Sequence, residues 1–155
     1  EEAYQYAEAH GMVCVMDIGR AGTASYQPEA LRRAILRHPE MKFVVCHVLM
    51  PQKGGEVRME EDLRMLALPN VWFDFAALPA NVNRGETYPY AAAREVLKRA
   101  KKAVGADRLM FGSDLPSTMV SQSYRHLVEY GMDLFTETER EKVYHDTADL
   151  VFFGS

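Results

Sequence analysis

Four short apolar runs in this chain each end on a carboxylate or a histidine. They are Met12-Val13-Cys14-Val15-Met16-Asp17, Phe43-Val44-Val45-Cys46-His47, Val71-Trp72-Phe73-Asp74 and Leu109-Met110-Phe111-Gly112-Ser113-Asp114. Runs this apolar, with helical spacing between them, predict strands of a parallel sheet buried on both faces. Their ends lie about 30, 27 and 40 residues apart, which is the spacing of βαβ units. Right-handed crossovers then point all four strand ends the same way, and parallel α/β folds place their chemistry at that end.

The segments between the runs read as helices. Residues Glu1 to Ala9 look like the end of a helix that Gly11 stops in the left-handed region. A helix starts near Pro28, shows Leu31, Ala34 and Ile35 at helical spacing, and stops at His38-Pro39. A second is expected from about Glu60 to Leu68, closed by Pro69-Asn70, and a third from Tyr90 to Val104, ended by Gly105. A fourth is expected near Ser121 to Tyr130, and a last one opens on Thr136 and Glu139 in capping-box spacing. Two long loops follow strands, Leu49 to Met59 and Pro79 to Pro89, and long loops on that face usually bind something.

The length of 155 residues suits one domain, residues 1–155, with a real core. A formal net charge of -4 argues against a nucleic-acid surface. The cluster Lys98, Arg99, Lys101 and Lys102 reads as a solvated helix face. Cys14 and Cys46 both sit inside apolar runs, so they read as small core residues in a reducing compartment, not as a disulfide framework. No apolar run approaches the roughly 20 residues that cross a bilayer. The expectation is a cytoplasmic protein with no membrane partner. A helix that feeds straight into a buried strand at residue 1 also suggests the carboxyl-terminal part of something longer.

Among the polar ends, Asp114 is the first candidate for chemistry. Gly112 lets the backbone pass a crowded point, and Ser113-Asp114 puts oxygens at the strand mouth, where a carboxylate can ligate a divalent metal or take a proton from water. The plain alternative is an Asp that caps the following loop. His47 would sit at the rim of its strand, against the alternative of a hydrogen-bonded structural histidine. Asp17, before Gly19 and Arg20, is either a third site carboxylate or a turn residue. Asp74 falls one residue early for the same side and reads as structural, satisfying a backbone donor or Arg108. The chain shows no G-x-G-x-x-G loop and no G-x-S-x-G elbow.

These residues resemble the amidohydrolase-related metal-dependent hydrolases, specifically the branch that holds small-acid decarboxylases and lactonases. Pro39-Glu40-Met41-Lys42-Phe43-Val44-Val45-Cys46-His47 is similar to that family's sixth barrel strand, which a His closes. Asn70-Val71-Trp72-Phe73-Asp74 resembles the seventh strand. Gly105-Ala106-Asp107-Arg108-Leu109-Met110-Phe111-Gly112-Ser113-Asp114-Leu115-Pro116 resembles the eighth and is the most specific piece. Glu141-Lys142-Val143-Tyr144-His145-Asp146-Thr147-Ala148 resembles the final helix, with Asp146 where the family usually has Asn.

The resemblance implies an α/β fold of the (β/α)8 TIM-barrel type, of which this chain holds about the last four βα units. The family's first-strand His-x-His or Glu-x-His motif is nowhere in these residues. By resemblance Asp114 is metal ligand and general base, and His47 polarises the scissile carbonyl or joins the metal shell. Asp17 stands where the fifth strand usually offers a metal-binding His. An oxygen ligand still suits zinc or manganese, and the substitution equally matches the family's metal-free lactonases.

The implied activity is hydrolysis of a carbonyl C–O or C–N bond by activated water. The alternatives are nonoxidative decarboxylation on the same site, or an incomplete half-barrel acting only in assembly. The implied partner is a small carboxylic acid, lactone or amide, its carboxylate gripped by Arg20 or Arg84. An open half-barrel would also self-associate as a homo-oligomer to close its sheet.

Overall fold

The computed structural model describes residues 2–154. Helix α1 (Glu2–Ala9) ends at Gly11, whose φ of +62° is the left-handed stop that its lack of a side chain permits. Strand β1 (Val13–Met16), helix α2 (Pro28–Arg37), strand β2 (Lys42–Val45), helix α3 (Glu56–Leu66) and strand β3 (Val71–Asp74) follow. Then come a short α4 (Leu78–Val82), α5 (Ala91–Val104), strand β4 (Leu109–Met110), α6 (Tyr124–Glu129), α7 (Glu137–Glu141) and α8 (Thr147–Phe152).

The four strands form one parallel sheet in the order β1-β2-β3-β4. Each strand thus lies beside its neighbour in sequence, as an unfolded barrel wall would.

Alternation divides the sheet into two faces. Phe43, Val45, Val71, Phe73 and Leu109 point outward, where they meet Leu31 and Ile35 of α2, Leu63 and Leu66 of α3, and Val96 and Leu97 of α5 in one core. The spacing of those helical residues, three and four apart, is what makes each helix present one apolar stripe to the sheet. Full burial of each such Leu or Phe is worth about 2 kcal/mol.

The inner face is different. Among the described residues its buried apolar cluster is only Val44, Met110 and Val151, with Val13 and Trp72 packed against them. The end of α8 lies across this face, where Lys42 Nζ donates to the carbonyls of Leu150 (2.7 Å) and Val151 (3.1 Å). The expectation of strands buried on both faces is therefore corrected: Val15 on β1 is 53% exposed. No further strand pairs with β1 or β4 among the described residues, so the inner face is half a barrel wall.

Three further expectations shift. Helix α3 begins at Glu56, four residues before the expected Glu60, because Gly55 opens it and the Glu56 carboxylate accepts from Gly54 N at 3.0 Å. The segment Pro79 to Pro89 is not all loop, since Pro79 sits in the first turn of α4. The helix expected from Ser121 starts at Tyr124, capped by Ser123, whose hydroxyl accepts from His126 N at 3.2 Å. The capping box of Thr136 and Glu139 is present at α7. Between α7 and α8 a π turn (Lys142–Asp146) frees the Val143 carbonyl, which accepts from Phe111 N at 2.8 Å and so ties the last helix to the end of β4.

Candidate active site

The sheet register decides which polar residues share the inner rim. Met16 pairs with Val45, Val45 with Phe73, and Asp74 with Met110. The next inward layer therefore holds Asp17, Cys46, Asp74 and Met110 side by side, with Gly112 and Asp114 beyond. These residues, with His47, Val15 and Phe152, line a cavity of about 450 Å³. Asp17, His47 and Asp114, the three residues expected at the strand mouths, are thus brought together.

Asp74 corrects the expectation of a residue facing elsewhere. It does satisfy backbone donors, as expected: Oδ1 accepts from His47 N at 3.0 Å and from Ala76 N at 2.9 Å. Yet it lines the same cavity, and it does so as the anchor of His47. Its role depends on cross-strand register, for which a single strand's pattern gives no direct signal. The alternation outward Val71, inward Trp72, outward Phe73, inward Asp74 is the clue that points to it.

His47 opens a run of four non-glycine residues with positive φ: His47 (59°), Val48 (41°), Leu49 (67°) and Met50 (47°). Left-handed conformation costs about 1–2 kcal/mol per residue outside glycine. Strain of this kind persists where surrounding contacts over-determine it, and it concentrates at functional positions. Here the Asp74 carboxylate holds the first amide of the turn, and the His47 ring donates from Nδ1 to the Ala76 carbonyl at 3.0 Å. A carbonyl only accepts, so Nδ1 carries a proton. Nε2 faces Asp17 Oδ2 at 3.9 Å, an ion pair when the ring holds both protons and two acceptors with room for a water or a cation when it is neutral.

Asp17 also serves its turn, with Oδ1 accepting from Gly19 N at 2.7 Å, while its side chain lines the cavity. Asp114 has a φ of 53°, and its Oδ2 accepts from Ser117 Oγ at 2.7 Å. Its backbone carbonyl accepts from Thr118 N at 3.3 Å, so it caps the following turn as well. Gly112 is needed where expected: a Cβ there would meet the Ala76 Cβ at 2.9 Å. Cys46 stands on the cavity wall instead of in the core proper. Burial first, and then the Asp74 carboxylate, push its thiol up to about 12, which keeps it protonated and unreactive as a nucleophile.

No Lys or Arg lines this cavity, so its three carboxylates Asp17, Asp74 and Asp114 favour positive charge. Oxygen and imidazole donors are the right types for zinc or manganese. Among the described residues, however, no three His, Cys, Asp or Glu side chains lie close enough to hold an ion. The donor chemistry fits a divalent metal and the number of converging donors does not make a cage. Arg20 and Arg84, the expected carboxylate grips, are not on this cavity. Arg84 lines a second one, together with Tyr88 and Ser117.

The amidohydrolase family pattern matches residues 1–153. Several solved structures share the fold. An amidohydrolase from Burkholderia multivorans with bound zinc matches at 22% identity and a TM-score of 0.81, over 96% of this chain and 55% of that one. A putative 2-pyrone-4,6-dicarboxylic acid hydrolase from Pseudomonas putida matches at 22% identity and a TM-score of 0.72, over 97% and 55%. A 5-carboxyvanillate decarboxylase from Sphingomonas paucimobilis matches at 14% identity and a TM-score of 0.60, over 97% and 52%. At these identities the likeness is one of fold alone, and the chain spans about half the length of the structures it matches. No curated protein sequence matches it. Four parallel strands in sequential order and a family pattern over nearly all residues lead to one conclusion: the chain belongs to the amidohydrolase family and forms part of its barrel.

Proposed function

We propose that the protein is a hydrolase that attacks a carbonyl C–O or C–N bond of a small carboxylic acid derivative, lactone or amide with water. The observation that carries this reading is the strained turn that aims His47 Nε2 at Asp17 in the cavity that Asp114 also lines. Asp114 takes the proton from the attacking water. His47, with its Nδ1 proton committed to Ala76, acts through Nε2 as an acceptor or ligand more readily than as the donor that would polarise a carbonyl.

The acidity of the cavity supports a divalent cation, zinc or manganese, as counter-charge to Asp17 and Asp114. The neighbouring amidohydrolase with bound zinc supports the same idea. Because no three donors converge among the described residues, this cage is incomplete within the chain, and the proton chemistry is assigned to Asp114 alone.

Nonoxidative decarboxylation is the second reading, favoured by the decarboxylase that shares the fold. Released carbon dioxide against ring-opened or chain-cleaved product separates the two. The first reading is tested by Asp114→Asn in the protein as it is naturally made. Loss of a general base should lower kcat by about a hundredfold or more, and turnover at the wild-type rate would overturn the assignment.

A further inference from the structure

The cavity that Asp17, His47 and Asp114 line changes character with depth. Its rim is acidic. One inward step towards the strand starts, two residues and about 6.6 Å along each strand, stand Val15 and Val44, which pair across β1 and β2. Met110 and Phe111 add apolar surface from β4 and its end. Phe152, the last residue of α8, completes the lining. It follows directly on Leu150 and Val151, whose carbonyls Lys42 holds, and Lys42 is the first residue of β2. The ring therefore enters from the side of the strand starts and lies beneath the acidic rim.

Phe152 differs from its neighbour. Val151 is 1% exposed and packed against Val44 and Met110, whereas Phe152 is 43% exposed. Its backbone is nonetheless fixed. Lys42 Nζ donates to the Leu150 and Val151 carbonyls at 2.7 and 3.1 Å, where a cation suits the end of a helix. The Val143 carbonyl, earlier on the same helical segment, accepts from Phe111 N at 2.8 Å. A ring held in place with one face open to a cavity is a wall for whatever enters from the rim.

We propose that Phe152 is the floor that sets how long a substrate the site accepts, that the substrate's end beyond the scissile carbonyl is uncharged and apolar, and that Lys42 is the positioning residue that holds this floor. Which end of the substrate faces Asp114 rests on the hydrolase reading above. The floor itself is a matter of binding alone. An apolar pocket measures chain length by burial, each methylene gaining about fourfold in affinity until the chain meets a wall. No Lys or Arg lines this cavity, so a carboxylate at that depth would find no cation. A hydroxyl there would lie against Val15, Val44 and Phe152.

The test is a titration with straight-chain primary alcohols from butanol to decanol, read on the NMR resonance of the Met110 methyl. The hydroxyl stands in for the scissile oxygen at the rim. Affinity should rise about fourfold per methylene and then level off. The break should come at longer chains in Phe152→Leu, at longer ones still in Phe152→Ala, and at shorter ones in Phe152→Trp. A residue that merely stabilised α8 would not move the break in opposite directions. Hexanediol with a hydroxyl at each end should bind about tenfold more weakly than hexanol, because its second hydroxyl is buried without a partner. Lys42→Met should move the break to longer chains with Phe152 in place, and Lys42→Arg, which still donates to the carbonyls, should bring it back.

A break at the same chain length in every Phe152 variant, equal affinity for the diol, or no saturable binding would each overturn the proposal. An unchanged break in Lys42→Met would overturn the part given to Lys42. The alcohol series needs no turnover, so it is separable from the hydrolase reading. Full turnover in Asp114→Asn, with a break that moves in the Phe152 variants, sinks the hydrolase and leaves the floor. Lost turnover with a break that stays fixed does the reverse.

Discussion

Asp74 is the residue on which the site's geometry turns, and its removal has a calculable effect. In Asp74→Ala, the amides of His47 and Ala76 lose their shared acceptor, Oδ1, which lies 3.0 and 2.9 Å from them. The Asp74 side chain is 14% exposed, so water replaces the lost oxygen poorly. Each hydrogen bond to a charged group is worth about 1.5–3 kcal/mol, so two of them set a gross loss of about 3–6 kcal/mol. Relief of repulsion from Asp17 and Asp114, and partial relaxation of the left-handed turn, return some of it. The expected net loss is about 2–4 kcal/mol. A domain holds only about 5–15 kcal/mol in total, so such a loss is easily seen.

Asp74→Asn is the control. Its amide oxygen can accept from the same two donors, so it should lose only the charge assistance, about 1 kcal/mol. Urea unfolding followed by circular dichroism gives both free energies. Hydrogen exchange at the His47 amide gives the local effect: protection should fall in the Ala variant and persist in the Asn variant. An Ala variant as stable as wild type, with His47 still protected, would show that the turn does not depend on Asp74.

Gly112→Ala should destabilise by about 1–3 kcal/mol because the new methyl lies 2.9 Å from the Ala76 Cβ, and adding Ala76→Gly should recover most of that in the same unfolding assay. The Glu139 carboxyl is held below its ordinary 4.5 by the Lys101 ammonium first, and then by the Thr136 amide. Its contribution is therefore present above about pH 4.5 and lost as the pH falls through the folded-state value, so Glu139→Gln should flatten the fall in urea midpoint between neutral and acid pH. The open inner face, where Val15 is 53% exposed, predicts that the 155-residue chain on its own self-associates and binds an apolar dye. Light scattering that finds a clean monomer without dye binding would contradict the open half-barrel.

Much of the fold was legible because it rests on local pattern. The run Val71 to Asp74 is the third strand to the residue, and Pro28, Gly105 and the Thr136–Glu139 box mark helix ends where the structure has them. The rim positions of Asp17, His47 and Asp114 were legible for the same reason, since a strand's last residue is a local property. What escaped depends on partners distant in sequence. Asp74 was misplaced because its face follows from the pairing of Val45 with Phe73. The start of α3 was missed because its first turn is closed by Glu56 onto Gly54, with no Ser, Thr or Asp to signal a cap. The left-handed run from His47 to Met50 carries no sequence mark at all, since Val and Leu are among the residues least suited to it.

That last feature shows how the two faces of the sheet depend on each other. The turn after β2 would cost several kcal/mol if it stood alone, at about 1–2 kcal/mol for each left-handed residue. Its own side chains offset this, because Val48 and Leu49 are 0% and 2% exposed and belong to the outer core beneath α3. Burying two such side chains contributes about 3–6 kcal/mol, comparable to the strain. Val48 and Leu49 reach outward only because the backbone winds left-handed, and the same winding turns the His47 ring inward onto Ala76 and towards Asp17. The outer core thus does more than stabilise the sheet. Through one strained turn it fixes the direction of the imidazole on the opposite face, where the inner core is too sparse to do so.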